Sequence, residues 1–486
     1  MLFSSIEFVF LFLPLVFFVY FLLANEKKTR PAKYWLIAAS MFFYAWWEPK
    51  YTLLLLFSIT FNFFIGKKIQ NKRFFEKKTQ AKRYLTFGVL LNIAILAYYK
   101  YADFVLYNAT SLLHISYTPI QTTLPLAISF FTFLQIAYIV DCYKDFDKIY
   151  SYLDYTLFVT FFPHLIAGPL IHHEEMMPQF ENKKNWKIIP KNCAMGLFIF
   201  SIGLFKKMGI ADPLSVLAKA GFDGHSSLSF IEAWATSLSY TFQLYFDFSG
   251  YSDMAIGVSL MFNILLPVNF NSPYKASNIQ EFWRRWHITL SRWLQQYVYV
   301  PLGGNRNGTA RTCANLFLTF LIGGIWHGAG WTFVIWGILH GLALITHRLW
   351  KKLFTPYRLP GPMTWFITFL FINFAWVFFR ATSLKRAGEI ILAMAGRNGL
   401  APQAWSFGLS APQWGCSYAI LLIAMTIAWA TPNSMQLVGL INNFPQRRKL
   451  SFSATPFYAI LTGIFLGIGC SLLFASPATD FIYFNF

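Results

Sequence analysis

The chain has 486 residues, of which 56% are hydrophobic and only 12% charged. Ordinary soluble domains carry about 25% charged residues, so a soluble fold is excluded, and recurring apolar runs of about 20 residues mark an all-α polytopic integral membrane protein. The formal net charge of +20 sits in short loops, which the positive-inside rule explains; there is no basic stripe of the kind that grips nucleic acid.

The opening segment, MLFSSIEFVFLFLPLVFFVYFLLANEKK, has no basic leader and no small-residue cleavage site, so it reads as a retained first span. A basic cluster follows at Lys27, Lys28, Arg30 and Lys33, and a larger one runs from Lys67 to Arg83. Both belong in the cytoplasm. The apolar residues 34–66 between them must therefore cross twice, turning at Glu48 and Pro49, which places the N-terminus outside. A fourth span is expected at about 84–99, followed by an outer loop near 100–120. Basic loops at 183–191, 284–311, 347–352 and 445–449 are also cytoplasmic, and a last span at about 454–474 leaves the C-terminus outside. Between about 150 and 345 simple alternation fails, so some segments there are re-entrant or interfacial. Irregular backbone at membrane depth is tolerated only where protein or a water-filled cavity covers it, which makes this region the place for chemistry.

No repeat is visible, and residues 1–486 read as one membrane domain with a motif-rich core at about 120–350 and C-terminal helices at about 360–486. The five cysteines are scattered without CxxC spacing, which suggests neither a zinc site nor a disulfide framework. In FFPHLIAGPLIHHEE, residues 161–175, the consecutive His172, His173, Glu174 and Glu175 do not share a helix face, so no metal is expected.

Three stretches could carry chemistry. YTFQLYFDFSGYSDMAIG, residues 240–257, places Asp247, Ser249 and Asp253 in an apolar run; this marks a discontinuous helix, a cavity wall, or polar groups capping helix ends. In EFWRRWHITLSRWLQQYVYVPLGGNR, residues 281–306, tryptophans alternate with Arg284, Arg285 and Arg292, and Asn305 and Arg306 follow. That pattern suits an interfacial segment whose arginines form a cationic rim for an anionic donor, with His287 at its entrance. The loop lacks the ending of a nucleotide-binding P-loop, which excludes nucleotide hydrolysis on that motif.

The third stretch is the uncharged run from Ala314 to Thr346. As one helix it would span about 50 Å, against roughly 30 Å of hydrocarbon, so it should break at Gly323, Gly324, Gly328 or Gly330. His327 then lies at the break beside Trp326. An ionisable ring inside a membrane is functional by default, and a neutral imidazole there would take a proton from a hydroxyl. The glycines permit close backbone approach and are expected to leave room for substrate. His340 would face away from His327 on a continuous helix and is expected to play a structural or supporting role.

These pieces together resemble the membrane-bound O-acyltransferase (MBOAT) family, in particular its bacterial alginate O-acetylation branch. The matching wording is MLFSSIEFVFLFLPL, FYAWWEP, FFPHLIAGPL, QLYFDFSGYSDMAIG, NFNSPY, EFWRRWHITLSRWL, YVPLGGNR and GGIWHGAGWTFVIWGILHG, in family order across most of residues 1–380. The resemblance implies a ring of about 11–13 transmembrane helices around a thin centre, with re-entrant or interfacial helices and funnels from both sides. It implies an acyltransferase of the bacterial inner membrane, with both termini periplasmic, that moves an acetyl group from a cytoplasmic thioester. Acetyl-CoA is the expected co-substrate, with no bound cofactor and no metal. The expected acceptor is an exported polysaccharide such as alginate, reached directly or through a periplasmic acetyltransferase- or esterase-like partner. The family's essential histidine maps onto His327 and its second histidine onto His287. Arg284, Arg285, Arg292 and Arg306 would bind the donor, and Asp247, Ser249, Asp253, Trp326 and Asn305 would line the cavity. The alternatives are D-alanyl transfer to teichoic acid, peptidoglycan O-acetylation, and a non-catalytic acyl or glycan transporter.

Overall fold

The computed structural model describes residues 1–24, 29–120, 123–144, 150–224, 226–354, 359–401, 411–441, 452–475 and 481–482. Lys27, Lys28 and the basic loop at 445–449 lie outside the described residues. Among the described residues every regular element is helical. Six helices are long and apolar enough to cross a membrane, and two shorter apolar helices, Phe8–Leu23 and Gly415–Ala430, accompany them. This is a multi-pass membrane protein. The chain forms two compact units, residues 1–200 with 254–267, and residues 201–253 with 268–486.

In the first unit the hydropathy pattern is realised directly. Helices α1 (Leu13–Leu23), α2 (Arg30–Ala45) and α3 (Tyr51–Phe74) follow in order, with the turn between α2 and α3 at residues 46–50. Helix α4 (Lys78–Leu112) corrects the expected fourth span and outer loop: it runs 35 residues without a break, roughly 52 Å at 1.5 Å per residue. Hydropathy falls after Lys100, but nothing there ends a helix, since residues 100–112 contain neither Gly nor Pro. Polarity marks where a helix leaves hydrocarbon, not where it stops. Helix α5 (Ile128–Lys144) packs against α3 and α4. Asn62 of α3 and Asn92 of α4 exchange side-chain hydrogen bonds at 3.1 and 2.7 Å, and each also donates to a carbonyl four residues earlier in its own helix. Such a contact between membrane helices contributes about 0.6–1.7 kcal/mol.

The second unit holds two buried lysines. Between α6 (Pro190–Phe205) and α7 (Asp212–Asp223) a π-helical segment, Lys206–Ala211, turns Lys206 and Lys207 inward. Lys206 Nζ lies 2.7 Å from Asp253 and Lys207 Nζ 2.8 Å from both Asp247 and Asp212. Gly250 makes the approach possible, because a Cβ there would meet the Gly203 carbonyl at 2.8 Å. Asp247 and Asp253 sit on α8 (Phe230–Met261), a continuous 32-residue helix. They neither break a helix nor cap one; they are counter-ions, and a polar residue with a partner in reach needs no helix break.

Removing one partner of a buried pair leaves an uncompensated charge and costs about 3–5 kcal/mol, whereas replacing both with apolar groups is near neutral. Asp253→Ala should therefore sharply reduce folded protein in membranes. The double variant Lys206→Met with Asp253→Leu should restore it. Detergent-extracted yield and thermal unfolding of the three proteins measure this.

Candidate active site

The site lies wholly within the second unit. The uncharged run does break: α11 (Gly308–His327) and α12 (Trp331–Leu353) are joined through Gly328–Gly330, following α9 (Ile279–Arg285) and α10 (Ile288–Leu294). The joint is extended backbone, with φ near −165° at Gly328 and Gly330. The close backbone approach expected of the glycines is found at Gly324, and Gly337 on the next helix shares in it. A Cβ on Gly324 would meet the Phe333 carbonyl at 2.5 Å, and one on Gly337 the Phe320 carbonyl at 2.6 Å. They let α11 and α12 lie backbone to backbone.

That close pairing sets the histidines. His327, the last residue of α11, is 3% exposed. Its ring lies about 5 Å from those of Trp326, Trp336 and Phe379, the last on α13 (Gly361–Arg380). Trp336 packs against His340 on its other side, at 4.6 Å. The expectation that His340 faces away assumed a continuous helix. The hairpin instead brings both histidines onto the same tryptophan.

His287 is held in a separate bed. The NFNSPY segment runs beside it, with Asn271 N donating to Arg285 O and Ile288 N to Asn269 O. His287 itself adopts a left-handed conformation, φ +42°, which a non-glycine residue sustains only when its surroundings dictate it. Asn269 Oδ1, an acceptor, receives the Thr289 amide and hydroxyl and lies 3.0 Å from His287 Nδ1. The proton therefore sits on Nδ1 and Nε2 carries the lone pair. The ring packs edge-on against Phe248, 4.8 Å away. Sequence reading gave Asn269 no part in this.

A cavity of about 650 Å³ opens beside α9, α11 and α12. Trp283 and Phe320 are on its wall, and its charged lining comprises Arg284, Arg348, Lys351 and Lys352, with Asn305 and His347 close by. Arg284 and Asn305 both line this cavity, whereas Arg285, Arg292 and Arg306 are not among the lining residues. Arg285 bridges to Glu281 at 2.7 Å and donates to the Asn271 carbonyl, fastening α9 to the NFNSPY segment. Arg306 is exposed in the loop before α11. The cationic lining comes instead from the end of α12, which sequence reading took only as a topology signal.

Asp247 and Asp253 belong to the ion pairs, with Ser249 buried between them on α8. Asp247 also accepts the Ile482 amide at 2.9 Å, and Phe481 stacks on Tyr251 and packs against Phe248. Phe248 thereby touches both Phe481 and His287. No motif in the last hundred residues announced this contact. Among the described residues no group of three or more His, Cys, Asp or Glu could hold a metal.

A sequence model of the membrane-bound O-acyltransferase family matches residues 79–386. A peptidoglycan O-acetyltransferase of Helicobacter pylori is 46% identical across all of this chain and 98% of its own length. A probable alginate O-acetylase of Pseudomonas aeruginosa is 42% identical over 81% of this chain and 75% of that one. A teichoic acid D-alanyltransferase of Streptococcus thermophilus is 26% identical over 47% of this chain and 57% of that one.

The helix pair gives a direct test. Gly324→Ala should overpack the α11–α12 contact and destabilise by about 1–3 kcal/mol. Gly463→Ala, on a helix where a Cβ meets nothing within 4 Å, should leave stability unchanged or slightly raised. Thermal unfolding of the purified proteins separates the two.

Proposed function

The chain belongs to the membrane-bound O-acyltransferase family, and from that premise we propose that it moves an acetyl group from cytoplasmic acetyl-CoA to acetylate a cell-surface glycan through a periplasmic partner. Acyltransferase chemistry follows from the family. The glycan proposed is peptidoglycan, because the peptidoglycan O-acetyltransferase aligns from end to end whereas the alginate O-acetylase covers 81% of the chain. On this reading the protein lies in the inner membrane with both termini periplasmic, and the cationic cavity takes its donor from the cytoplasm.

One observation carries the reading. The cationic cavity shares Trp283 with the ring cluster that ends on His327: Trp283 lies 5.8 Å from Trp336, and Trp336 5.0 Å from His327. Arg284, Arg348, Lys351 and Lys352 suit the phosphates of coenzyme A. The thioester is already activated, so the reaction needs positioning, a base and support for the developing oxyanion. His327 takes the proton of the acceptor hydroxyl as its oxygen attacks the acyl carbon. His287, with its lone pair on Nε2, is the second histidine of the site. A transporter would leave both rings without a chemical task.

His327→Ala should keep normal membrane abundance and lower acetyl transfer by at least about 10²-fold, the lower end of general-base effects. Base-labile acetate on the peptidoglycan of expressing cells, measured beside protein abundance, tests this. Near-normal acetylation by a well-expressed variant would remove His327 from the mechanism and revive the transporter. For the donor, Arg284→Ala should raise the KM for acetyl-CoA more than it lowers kcat. Arg285→Ala should instead lower the yield of folded protein, because its partners are Glu281 and Asn271. Steady-state kinetics on purified protein with acetyl-CoA distinguish the two arginines.

A further inference from the structure

His340 is fully buried on α12 and belongs to none of the roles above. Its Nδ1 lies 3.2 Å from Nε1 of Trp283. An indole nitrogen only donates, so Nδ1 of His340 must accept and carries no proton. A doubly protonated ring would set two N–H groups against each other. Trp283 therefore fixes His340 as the neutral ring with its proton on Nε2, a hydrogen-bond donor that is unsuited to act as a base.

That donor meets no acceptor among the described residues, and the same holds for Nε1 of Trp336 and of Trp376. The three rings form one group: Trp336 lies 4.6 Å from His340 and 5.8 Å from Trp376, and His340 lies 6.3 Å from Trp376. Phe282, Phe320 and Phe371 surround His340, and Phe379 lies against both tryptophans. These phenyl groups offer no acceptor. Buried N–H groups are normally paired, and an unmade bond in a low-dielectric interior is costly. A set of donors without an acceptor, one ring away from His327, fits an oxygen that gains negative charge during the reaction.

We propose that His340, held in its Nε2–H form by Trp283, donates to the carbonyl oxygen of the acyl thioester, with the indole N–H groups of Trp336 and Trp376 beside it. The proposal rests on the acyl-transfer reading above. The acceptor oxygen bonds to the acyl carbon while His327 takes its proton, and the carbonyl π pair moves onto oxygen, where His340 stabilises it. The pair then returns, the carbon–sulfur bond breaks with its electrons on sulfur, and the proton on His327 passes to the thiolate. His340 gives up no proton at any stage. Trp283 is a positioning residue: it walls the donor cavity and sets the tautomer of the ring behind it.

The test compares His340→Leu with His340→Gln, because a glutamine amide accepts from Trp283 through oxygen and donates through nitrogen. With acetyl-CoA as donor, His340→Leu should lose about 10²–10³-fold in kcat, the usual effect of removing one such donor, with its KM little changed. His340→Gln should recover at least about tenfold of that loss. Thermal unfolding of each variant checks that equal amounts of folded protein are compared. The second measurement is nitrogen NMR of the histidine rings, assigned by loss of the His340 signal in the glutamine variant. It should show His340 protonated on Nε2 alone across pH 6–8. Wild-type kcat in His340→Leu, a glutamine variant no better than leucine at equal folding, or an Nδ1-protonated ring would each overturn the proposal. Failure of the wild-type protein to consume acetyl-CoA would instead overturn the donor reading, and the NMR result still decides whether His340 is the donor described.

Discussion

The structure depends on one constraint: a polar group inside a membrane protein must find its partner within the protein. Lysines 206 and 207 meet it with Asp253, Asp247 and Asp212. Asn62 and Asn92 meet it by pairing with each other. His287 meets it through Asn269. In each case the partner comes from a different helix or segment, so satisfying the polar group also fixes how two parts of the chain pack. Apolar contact alone would not do this, because lipid tails are as apolar as leucine and offer helices little reason to choose one another.

The same constraint sets the chemistry. Each histidine of the site takes its character from its partner rather than from its own type. Asn269 offers an oxygen, so His287 keeps its proton on Nδ1 and presents a lone pair. Trp283 offers an N–H, so the ring of His340 is reversed in its hydrogen-bonding sense. His327 differs again, standing at a helix end among aromatic rings. Three identical side chains within one unit thus acquire three distinct environments.

Much of this was legible beforehand where a single rule applied. Thirty-three residues without a charge are too long for one span, so the break beside His327 followed from length. The turn at 46–50 followed from two basic flanks. What escaped notice depended on pairs distant in sequence. Lys206 and Lys207 interrupt an apolar run in plain sight, and Asp247 and Asp253 interrupt another; treating each run alone suggested a broken helix, whereas treating them together would have suggested ion pairs. Close backbone approach at Gly324 is expected from residue type alone, but that it meets Gly337 across two helices requires knowing that α11 and α12 form a hairpin. The contact of Phe481 and Ile482 with α8 joins positions more than two hundred residues apart. No local pattern carries such information.

The location of the site within the chain also bears on specificity. Arg284, His287, His327, Trp336, His340, Lys351 and Trp376 all fall inside the region matched by the family model, residues 79–386. Relatives named for peptidoglycan, alginate and teichoic acid align with this chain, and under the function proposed above these residues would serve the step those names share, the transfer of an acyl group. Discrimination between glycans needs contacts that differ among them. A ring cluster as buried as that of Trp336, His340 and Trp376 has no surface to offer a polymer. Under the proposed function the acceptor would therefore be chosen away from His327, by another face of the chain or by a partner. Such a division would let one buried site serve several surface polymers.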